Sequence, residues 1–373
     1  MKILNISSSV GIGGREILVM TLSESLRAAG CEVRLITAHD TWLDRKATGA
    51  GFVNYRLPMK KYVDLYSIAM IGRILRDYRP DVVHLYFISD IWLVVPAVRL
   101  FHPKAKMFLL RSMQSSNMKD FARTALFNAL DRIIVMSDFL KHDFLAKTRL
   151  KPGKVETIYI GVDLDKFTAA AAAGNVLSRD YRLNADAIVV GLVGRIDTGK
   201  GQDKFIDAAR IVVDALKTQS PDIADRLKFF VVGSSEKGAG LKYENSLKHR
   251  VSRYGIADKF VFTGFREDIP AVMGSLDVAV FPSRDEAFGL VVIEAMAMSK
   301  AVVGFNRGAF PEIIVQDETG FIVEYDAACL ADGIRALVLD ESTRRTFGAN
   351  GRRLVEEKFD LKTTIQKFLA LYS

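Results

Sequence analysis

Residues 194–201, GRIDTGKG, combine two cations with three glycines in a stretch that could bind phosphate. The first seven fit the Gly-x-x-x-x-Gly-Lys of an ATP-binding P-loop, where a Ser or Thr after the Lys ligates Mg²⁺. Gly201 occupies that position, so the metal ligand is missing and an ATPase is disfavoured. Arg195 and Lys200, beside the N–H groups of a following helix, suit a diphosphate bound without metal. Two solvated surface charges are the alternative.

A second stretch, SRDEAFGLVVIEAM, places Glu286 in a loop and Glu294 eight residues later in a helix expected to begin near Phe288. A carboxylate beside apolar helix positions is costly unless it accepts hydrogen bonds, so a ligand hydroxyl is a reasonable partner for Glu294. The amides of Phe288, Gly289 and Leu290 would form an anion-binding helix start. For each glutamate singly, a structural role satisfied by backbone amides is the alternative.

A third stretch, GIGGRE at 11–16, follows the first apolar run and opens the first helical pattern. It departs from the dinucleotide-binding Gly-x-Gly-x-x-Gly at its last position, which disfavours NAD. Gly13 and Gly14 would still let a ligand approach the backbone near helix N–H groups. A tight strand–helix turn without a ligand explains the glycines equally well.

These motifs lie in a regular alternation of short β-rich runs and longer helical patterns, which predicts parallel sheets covered by helices on both faces. In such sheets ligands lie outside the carboxyl ends of the strands, where the glycines and charges occur. A seam near GVDLDKFTAAAAAGN separates two series of strands and helices. Asp163 and Asp165 form an Asp-x-Asp there, which we interpret as a turn in preference to a metal site.

The 373 residues contain only two cysteines, Cys31 and Cys329, which we expect to be reduced thiols of a cytoplasmic protein. The amino terminus reads as a strand rather than a signal peptide, and no apolar run is long enough to span a membrane. Residues 1–160 carry 24 Lys and Arg against 14 Asp and Glu, whereas the rest carry 28 against 30. This asymmetry suggests a polyanionic partner in the first half. No nucleic-acid-binding module is recognisable, so no nucleic acid is expected.

Taken together, the motifs resemble those of glycosyltransferase family 4, retaining nucleotide-sugar transferases of GT-B fold. EAFGLVVIE resembles the family's Glu-x₇-Glu, GIGGRE its GGxE loop, IGVDLDKF its hinge and VGRIDTGKG its Arg…Lys loop. The resemblance implies two Rossmann-like domains that face each other across a cleft. The expected division is an acceptor-binding domain at 1–161, a nucleotide-sugar-binding domain at 162–351, and a helical segment at 352–373 that packs at the domain junction.

The resemblance also implies roles for the charged residues. Arg195 and Lys200 would bind the donor diphosphate, Glu294 the ribose, and Glu286 the transferred sugar, whose developing positive charge it would stabilise. No metal and no cofactor are expected, and the donor substrate is a nucleoside-diphosphate sugar. Backbone amides would cradle its distal phosphate, namely those of Gly13, Gly14, Phe288, Gly289 and Leu290.

One departure concerns the sugar contacts of the amino-terminal domain. Many family members carry a His at a strand end where this chain has Arg111. His84 matches another recurring His position, but His-x-Tyr replaces the family's frequent His-x-His. We therefore treat His84 and Arg111 as possible sugar or acceptor contacts, with a buried structural role as the alternative for His84.

The sequence predicts a retaining glycosyltransferase that acts on a lipid-linked, lipopolysaccharide or cell-surface polysaccharide precursor. Basic residues beside apolar ones, among them Lys60, Lys61 and Arg123, suggest peripheral attachment to an anionic membrane at its cytoplasmic face. An inverting transferase or a nucleotide-sugar epimerase of the same fold, a transferase with a soluble acceptor, and a non-catalytic nucleotide-sugar binder are the alternatives.

Overall fold

The computed structural model describes residues 1–11, 13–60, 64–171, 174–235 and 238–373. The chain divides into two compact units: Met1–Tyr159 with Leu361–Ser373, and Ile160–Asp360. The first boundary lies within two residues of the expected one at 161. The segment 352–373, expected to be separate, is instead divided, because its first residues continue a helix of the second unit and its last helix belongs to the first.

The first unit is built on a parallel sheet of seven strands. The strands are β1 (Lys2–Ser7), β2 (Glu32–Ala38), β3 (Val53–Leu57), β4 (Val82–Leu85), β5 (Lys106–Arg111), β6 (Arg132–Val135) and β7 (Val155–Thr157). Their spatial order is β3-β2-β1-β4-β5-β6-β7. All four residues of β4 are buried, as expected for a central strand covered on both faces. The helices are α1 (Gly14–Ala28), α2 (Trp42–Gly49), α3 (Leu65–Tyr78), α4 (Ile91–Phe101), α5 (Phe121–Ala129) and α6 (Asp138–Ala146).

The second unit is built on a parallel sheet of six strands. They are β8 (Ile188–Val193), β9 (Leu227–Val232), β10 (Phe260–Gly264), β11 (Val278–Phe281), β12 (Ala301–Phe305) and β13 (Gly320–Val323). The spatial order is β10-β9-β8-β11-β12-β13. The helices are α7 (Leu164–Ala171), α8 (Val176–Tyr181), α9 (Gln202–Gln219), α10 (Pro221–Arg226), α11 (Ala239–Arg253), α12 (Ile269–Gly274), α13 (Leu290–Ala297), α14 (Phe310–Ile313), α15 (Ala327–Leu339) and α16 (Glu341–Lys358).

The last helix, α17 (Leu361–Tyr372), returns to the first unit and completes its core. Phe368 and Tyr372 are buried, and the Tyr372 ring lies 4.8 Å from the ring of Phe108 on β5. Lys106 Nζ donates a hydrogen bond to the carbonyl oxygen of Tyr372 at 3.0 Å. The carboxyl-terminal residues are therefore an integral part of the amino-terminal unit.

Strand order reverses beside the first strand of each unit, between β1 and β4 and between β8 and β11. Open parallel sheets bind ligands outside the carboxyl ends of their strands at this reversal. In the second unit the loops that leave β8 and β11 carry the two charged motifs of the sequence. The prediction of two doubly wound parallel domains is confirmed, and the topology explains why Lys200 and Glu286, which are 86 residues apart in sequence, meet.

The apolar helix α4 is only 11 residues long and contains Pro96. Within the described residues, no helix has both the length and the apolar character needed to cross a bilayer.

Candidate active site

The structure of the loop after β8 explains why Gly201 follows Lys200 where a P-loop has Ser or Thr. Gly201, the N-cap of α9, has φ 73°, a left-handed conformation that favours glycine. A Cβ there would lie 2.0 Å from the carbonyl oxygen of Pro282 in the loop after β11. Backbone strain and lack of space thus both exclude the Ser or Thr of a P-loop. The loops after β8 and β11 therefore touch at the position where a P-loop Ser or Thr would ligate the metal ion.

Short hydrogen bonds hold the same loop in its turn. The N–H of Lys200 donates to the carbonyl oxygen of Asp197 at 3.0 Å, and that of Gly199 donates to the Asp197 carboxylate at 2.8 Å. The buried Gln202 side chain donates to the carbonyl oxygen of Arg195 at 2.9 Å. The backbone that carries Arg195 and Lys200 is therefore pre-organised at the start of α9.

Both cations of the loop are paired with carboxylates of the second unit. Lys200 Nζ lies 2.6 Å from Glu286 Oε2, and Arg195 Nε lies 3.0 Å from Asp197 Oδ2. The Glu286 side chain is 16% exposed and that of Lys200 31%, whereas Arg195 is more open at 54%. The structure thus brings Arg195, Lys200 and Glu286 to one edge of the sheet, within reach of solvent.

The backbone around Glu286 is fixed by the segment after β12. Its carbonyl oxygen accepts a hydrogen bond from the N–H of Ala309 at 3.0 Å. Gly308 has φ 59°, and a Cβ on it would lie 2.2 Å from that carbonyl oxygen. Because only glycine permits this approach, Gly308 helps to position Glu286.

The helix expected near Phe288 begins instead at Leu290. Gly289 is its N-cap with φ 101°, and a Cβ there would lie 2.9 Å from the Phe310 ring. This left-handed residue ends the extended loop, so the helix starts two residues later than the apolar pattern suggests. The Phe288 side chain is buried, and the amides of Gly289 and Leu290 lie at the helix N terminus, where anions are favoured.

Glu294 is the fifth residue of α13 and lies just beyond its first turn. Burial raises the pKa of its carboxyl group to about 7, although part of the side chain still reaches solvent. Its carboxylate makes no hydrogen bond or ion pair with any described residue. A partly accessible carboxylate with unused acceptor sites is suited to accept hydrogen bonds from ligand hydroxyls.

Gly13 and Gly14 lie at the N terminus of α1, directly after the segment that leaves β1. Gly13 has extended backbone and Gly14 is the first helical residue, with open space where a Cβ would point. Nothing in the packing of Gly14 requires glycine, which is consistent with a surface kept clear for a ligand. Their contact with a donor phosphate stays a prediction.

His84 lies in the interior of the first unit, not at its surface. It is completely buried on β4, and its Nδ1 lies 2.6 Å from the hydroxyl oxygen of Tyr372 on α17. Burial lowers the pKa of its imidazole to about 3, so the ring is neutral at physiological pH. This placement favours the buried structural role over a sugar contact.

Arg111 ends β5 and is half-buried, with its Nε enclosed. Its Nη2 lies within hydrogen-bonding distance of three neutral oxygens of the next loop, those of Met113, Gln114 and Ser115. Burial, with the nearby charge of Arg15 as a smaller cause, lowers the pKa of its guanidinium to about 10. Sequence reasoning missed Arg15, although it is the variable residue of the GGxE-like stretch and the structure places it beside Arg111.

Asp163 and Asp165 behave as the sequence predicted for a turn. The N–H of Asp165 donates to Asp163 Oδ1 at 3.2 Å, at the start of α7. Among the described residues, no three His, Cys, Asp or Glu side chains are grouped so that they could hold a metal ion.

Two doubly wound parallel sheets, with a cationic loop and two acidic residues at the strand-order reversal of the second, define a GT-B glycosyltransferase. Comparison with known proteins agrees. Residues 12–166 match the family described as Glycosyltransferase Family 4, and residues 176–354 match that described as Glycosyl transferases group 1. The two matches follow one another along the chain, and both models describe glycosyltransferases.

Two relatives are named for polysaccharide synthesis. The chain is 27% identical to the capsular polysaccharide biosynthesis glycosyltransferase CapM of Staphylococcus aureus, over 84% of this chain and 90% of CapM. It is 33% identical to the lipopolysaccharide core biosynthesis mannosyltransferase LpsB of Rhizobium meliloti, over about half of each chain, 49% and 50%. Its fold matches HepE of Anabaena, solved with UDP and glucose, with a TM-score of 0.82 and 21% identity over 99% of this chain and 98% of HepE.

Proposed function

We propose that this glycosyltransferase transfers a sugar with retention of configuration, from a nucleoside-diphosphate sugar held by its second unit. The observation that carries the proposal is the Lys200–Glu286 pair at the strand-order reversal, with Arg195 on the same loop as Lys200 and Glu294 on the helix after Glu286. These groups offer two cations for a diphosphate, an acceptor for ribose hydroxyls and a carboxylate for the reacting sugar.

The proposed roles follow from the chemistry of each group. Arg195 and Lys200 bind the diphosphate and, together with the N terminus of α13, stabilise negative charge on the leaving group. Glu294 accepts hydrogen bonds from the ribose hydroxyls. Glu286, 16% exposed beside Lys200, stabilises positive charge that develops on the transferred sugar. In this proposal the protein cations do the work that a metal ion performs in other transferases.

The acceptor, in our proposal, is a lipid-linked or cell-surface polysaccharide precursor met at a membrane. Two observations support it: CapM and LpsB are named for capsule and lipopolysaccharide synthesis, and the first unit exposes large apolar side chains beside basic ones. Phe121 at the start of α5 is 83% exposed between Lys119 and Arg123. Leu65 at the start of α3 is 74% exposed.

Some residues of the first unit do not contribute to this membrane contact. Ile71 and Leu75 of α3 are buried in the core and cannot face a membrane. Lys61, part of the predicted basic cluster, lies outside the described residues. The proposed membrane contact therefore depends on the start of α5 and the exposed start of α3.

The decisive experiment begins with a panel of nucleoside-diphosphate sugars tested for thermal stabilisation of the chain. A stabilising donor is then incubated with candidate lipid-linked and soluble acceptors, and the anomeric configuration of the product is determined by NMR. Retention is the expected result. Inversion, conversion of the donor to its epimer, or absence of stabilisation by every nucleotide sugar would each contradict the proposal.

A further inference from the structure

Two guanidinium groups of the first unit meet at the carboxyl ends of β1 and β5. Arg15, near the start of α1, directs Nη1 to the sulfur of Met113 at 3.7 Å, and Arg111 Nη2 lies 2.9 Å from the carbonyl oxygen of that residue. The Arg15 guanidinium also lies 4.4 Å from the centre of the Phe87 ring. Two like charges are thus held against one residue, which is unfavourable unless something of opposite charge compensates them.

Arg111 has no carboxylate bonded to it among the described residues. Its contacts are neutral oxygens, and its buried Nε has no hydrogen-bond partner. A buried guanidinium normally forms a paired, bidentate contact with a carboxylate or a phosphate. Arg111 therefore has a buried donor without an acceptor, and the carboxylate of Asp143 stabilises its charge only from a distance, without a direct bond.

The neighbouring acids are occupied elsewhere. Glu16 accepts from Arg15 Nε at 3.1 Å and from the hydroxyl of Ser9, so it balances Arg15 only. Asp90 accepts from the N–H of Ser8 at 3.0 Å, and burial raises the pKa of its carboxyl group to about 7. Asp143 accepts from the N–H of Ser115 and pairs with Lys147. A local excess of positive charge remains at Arg111.

We infer that Arg15 and Arg111 form a subsite for a phosphate group of the acceptor. Two adjacent guanidiniums carry several N–H donors, and the three acceptor oxygens of a phosphate monoester match them better than the two oxygens of a carboxylate. Arg15 directly follows Gly13 and Gly14, which are predicted to contact the donor phosphate, so the test below distinguishes an acceptor phosphate from a donor phosphate. The inference rests on the proposed function, since it names the chemical class of the acceptor of that reaction.

The test uses inorganic phosphate as the probe and the full chain as the protein. Both tryptophans of the sequence, Trp42 and Trp92, belong to the first unit, so thermal unfolding followed by tryptophan fluorescence reports on that unit. Melting is recorded in phosphate and in chloride at equal ionic strength. Each measurement is repeated with a saturating amount of the nucleoside diphosphate that stabilises the chain most.

The proteins compared are the wild type, Arg15→Gln, Arg111→Gln and Arg45→Gln, the last removing one exposed cation from α2 of the same unit. Phosphate should raise the Tm of the wild type and of Arg45→Gln by about 2–4 °C, the shift expected for a weakly bound ligand. Arg15→Gln and Arg111→Gln should lose most of this shift. Arg15→Gln is the more informative of the two, because Arg111 also organises its own loop.

Equal stabilisation of all four proteins would overturn the inference, since it would reflect general exclusion of phosphate from protein surfaces. Loss of the phosphate shift once nucleoside diphosphate is bound would also overturn it, because the anion would then belong to the donor. Failure of every nucleoside diphosphate to bind would contradict the proposed function instead, and the phosphate titration without nucleotide would still report on the arginine pair.

Discussion

Lys200 Nζ and Glu286 Oε2 lie 2.6 Å apart, in an ion pair that joins the loop after β8 to the loop after β11. The pair links the residue proposed to bind the diphosphate to the residue proposed to stabilise the sugar. The Glu286 carboxylate therefore contacts the same cation that is proposed to bind a donor phosphate. Donor binding must share or displace this contact, so the two residues should not respond alike to substitution.

Replacing Glu286 by Gln should separate binding from turnover. Turnover should fall by a factor on the order of 10²–10³, the scale of losing one electrostatic contact in the transition state. Affinity for the nucleoside diphosphate should stay equal or increase, because Lys200 no longer has a competing carboxylate. Steady-state kinetics and calorimetric titration measure the two effects. Wild-type turnover in a folded variant would remove Glu286 from the mechanism.

Replacing Arg195 or Lys200 by Ala should weaken binding of the nucleoside diphosphate. The expected loss is about 1.5–3 kcal/mol for each, the value of a hydrogen bond to a charged group. Arg210→Ala is the matched control, since Arg210 is an exposed cation on α9 paired with Asp214. It should leave the affinity unchanged.

Treatment with EDTA should leave the activity of the wild type largely intact. The reason is that Arg195 and Lys200 are proposed to neutralise the leaving diphosphate in place of a metal ion. Activity is measured before and after chelation and after adding back Mg²⁺ or Mn²⁺. Loss on chelation with recovery on metal addition would contradict this part of the proposal.

Binding of the nucleotide should depend on pH through Glu294. The pKa of its carboxyl group is about 7 in the free chain, against an ordinary 4.5, because burial favours the neutral form. Ribose hydroxyls that donate to the carboxylate favour the charged form and lower this pKa, so binding releases a proton near neutral pH. Affinity should therefore weaken as the pH falls below about 7 and level off above it.

Calorimetric titrations in buffers of different ionisation enthalpy count the released protons. The nucleotide itself also titrates, so the informative quantity is the difference between the wild type and Glu294→Gln. A variant whose pH dependence equals that of the wild type would exclude Glu294 from the binding site.

The fold and the position of the charged loop after β8 were predictable because each depends on residues close in sequence. Alternating apolar patterns gave the two parallel sheets, and GRIDTGKG carries its glycines and cations within eight residues. The features that were missed depend on distant contacts. Gly201 is required by Pro282 on another loop, and His84 is enclosed by Tyr372 from the last helix. The pairing of Arg15 with Arg111 likewise appears only once β1 and β5 lie in one sheet.

Replacing Tyr372 by Phe should destabilise the first unit. The hydroxyl of Tyr372 partners Nδ1 of His84, and Nε2 of that buried ring already has no partner among the described residues. Loss of the Tyr372 hydroxyl also leaves Nδ1 of this ring unpaired, which should lower the free energy of unfolding by about 1–3 kcal/mol. Urea unfolding followed by tryptophan fluorescence measures the change. Tyr66→Phe, at an exposed position of α3, should have no effect.

The proposed membrane contact predicts binding to vesicles that contain anionic lipid. Phe121 is exposed at the start of α5, with Lys119 and Arg123 beside it, so the ring can enter the interface while the cations meet lipid phosphates. Binding, measured by co-sedimentation, should require anionic lipid and fall as salt rises. It should not occur on neutral vesicles.

Charge reversal tests whether the position of the cations matters or only their number. Reversing Lys60, Lys119 and Arg123 to Glu should weaken vesicle binding about a hundredfold or more, since each basic residue near the surface contributes about 1 kcal/mol. Reversing Arg210, Lys242 and Arg345 of the second unit changes the net charge equally and should have much less effect. Equal losses of vesicle binding in both variants would indicate general electrostatic attraction to the lipid, and not binding through a defined surface of the first unit. Failure of the wild type to bind anionic vesicles at low salt would favour a soluble acceptor, because the first unit would then meet its substrate away from the membrane.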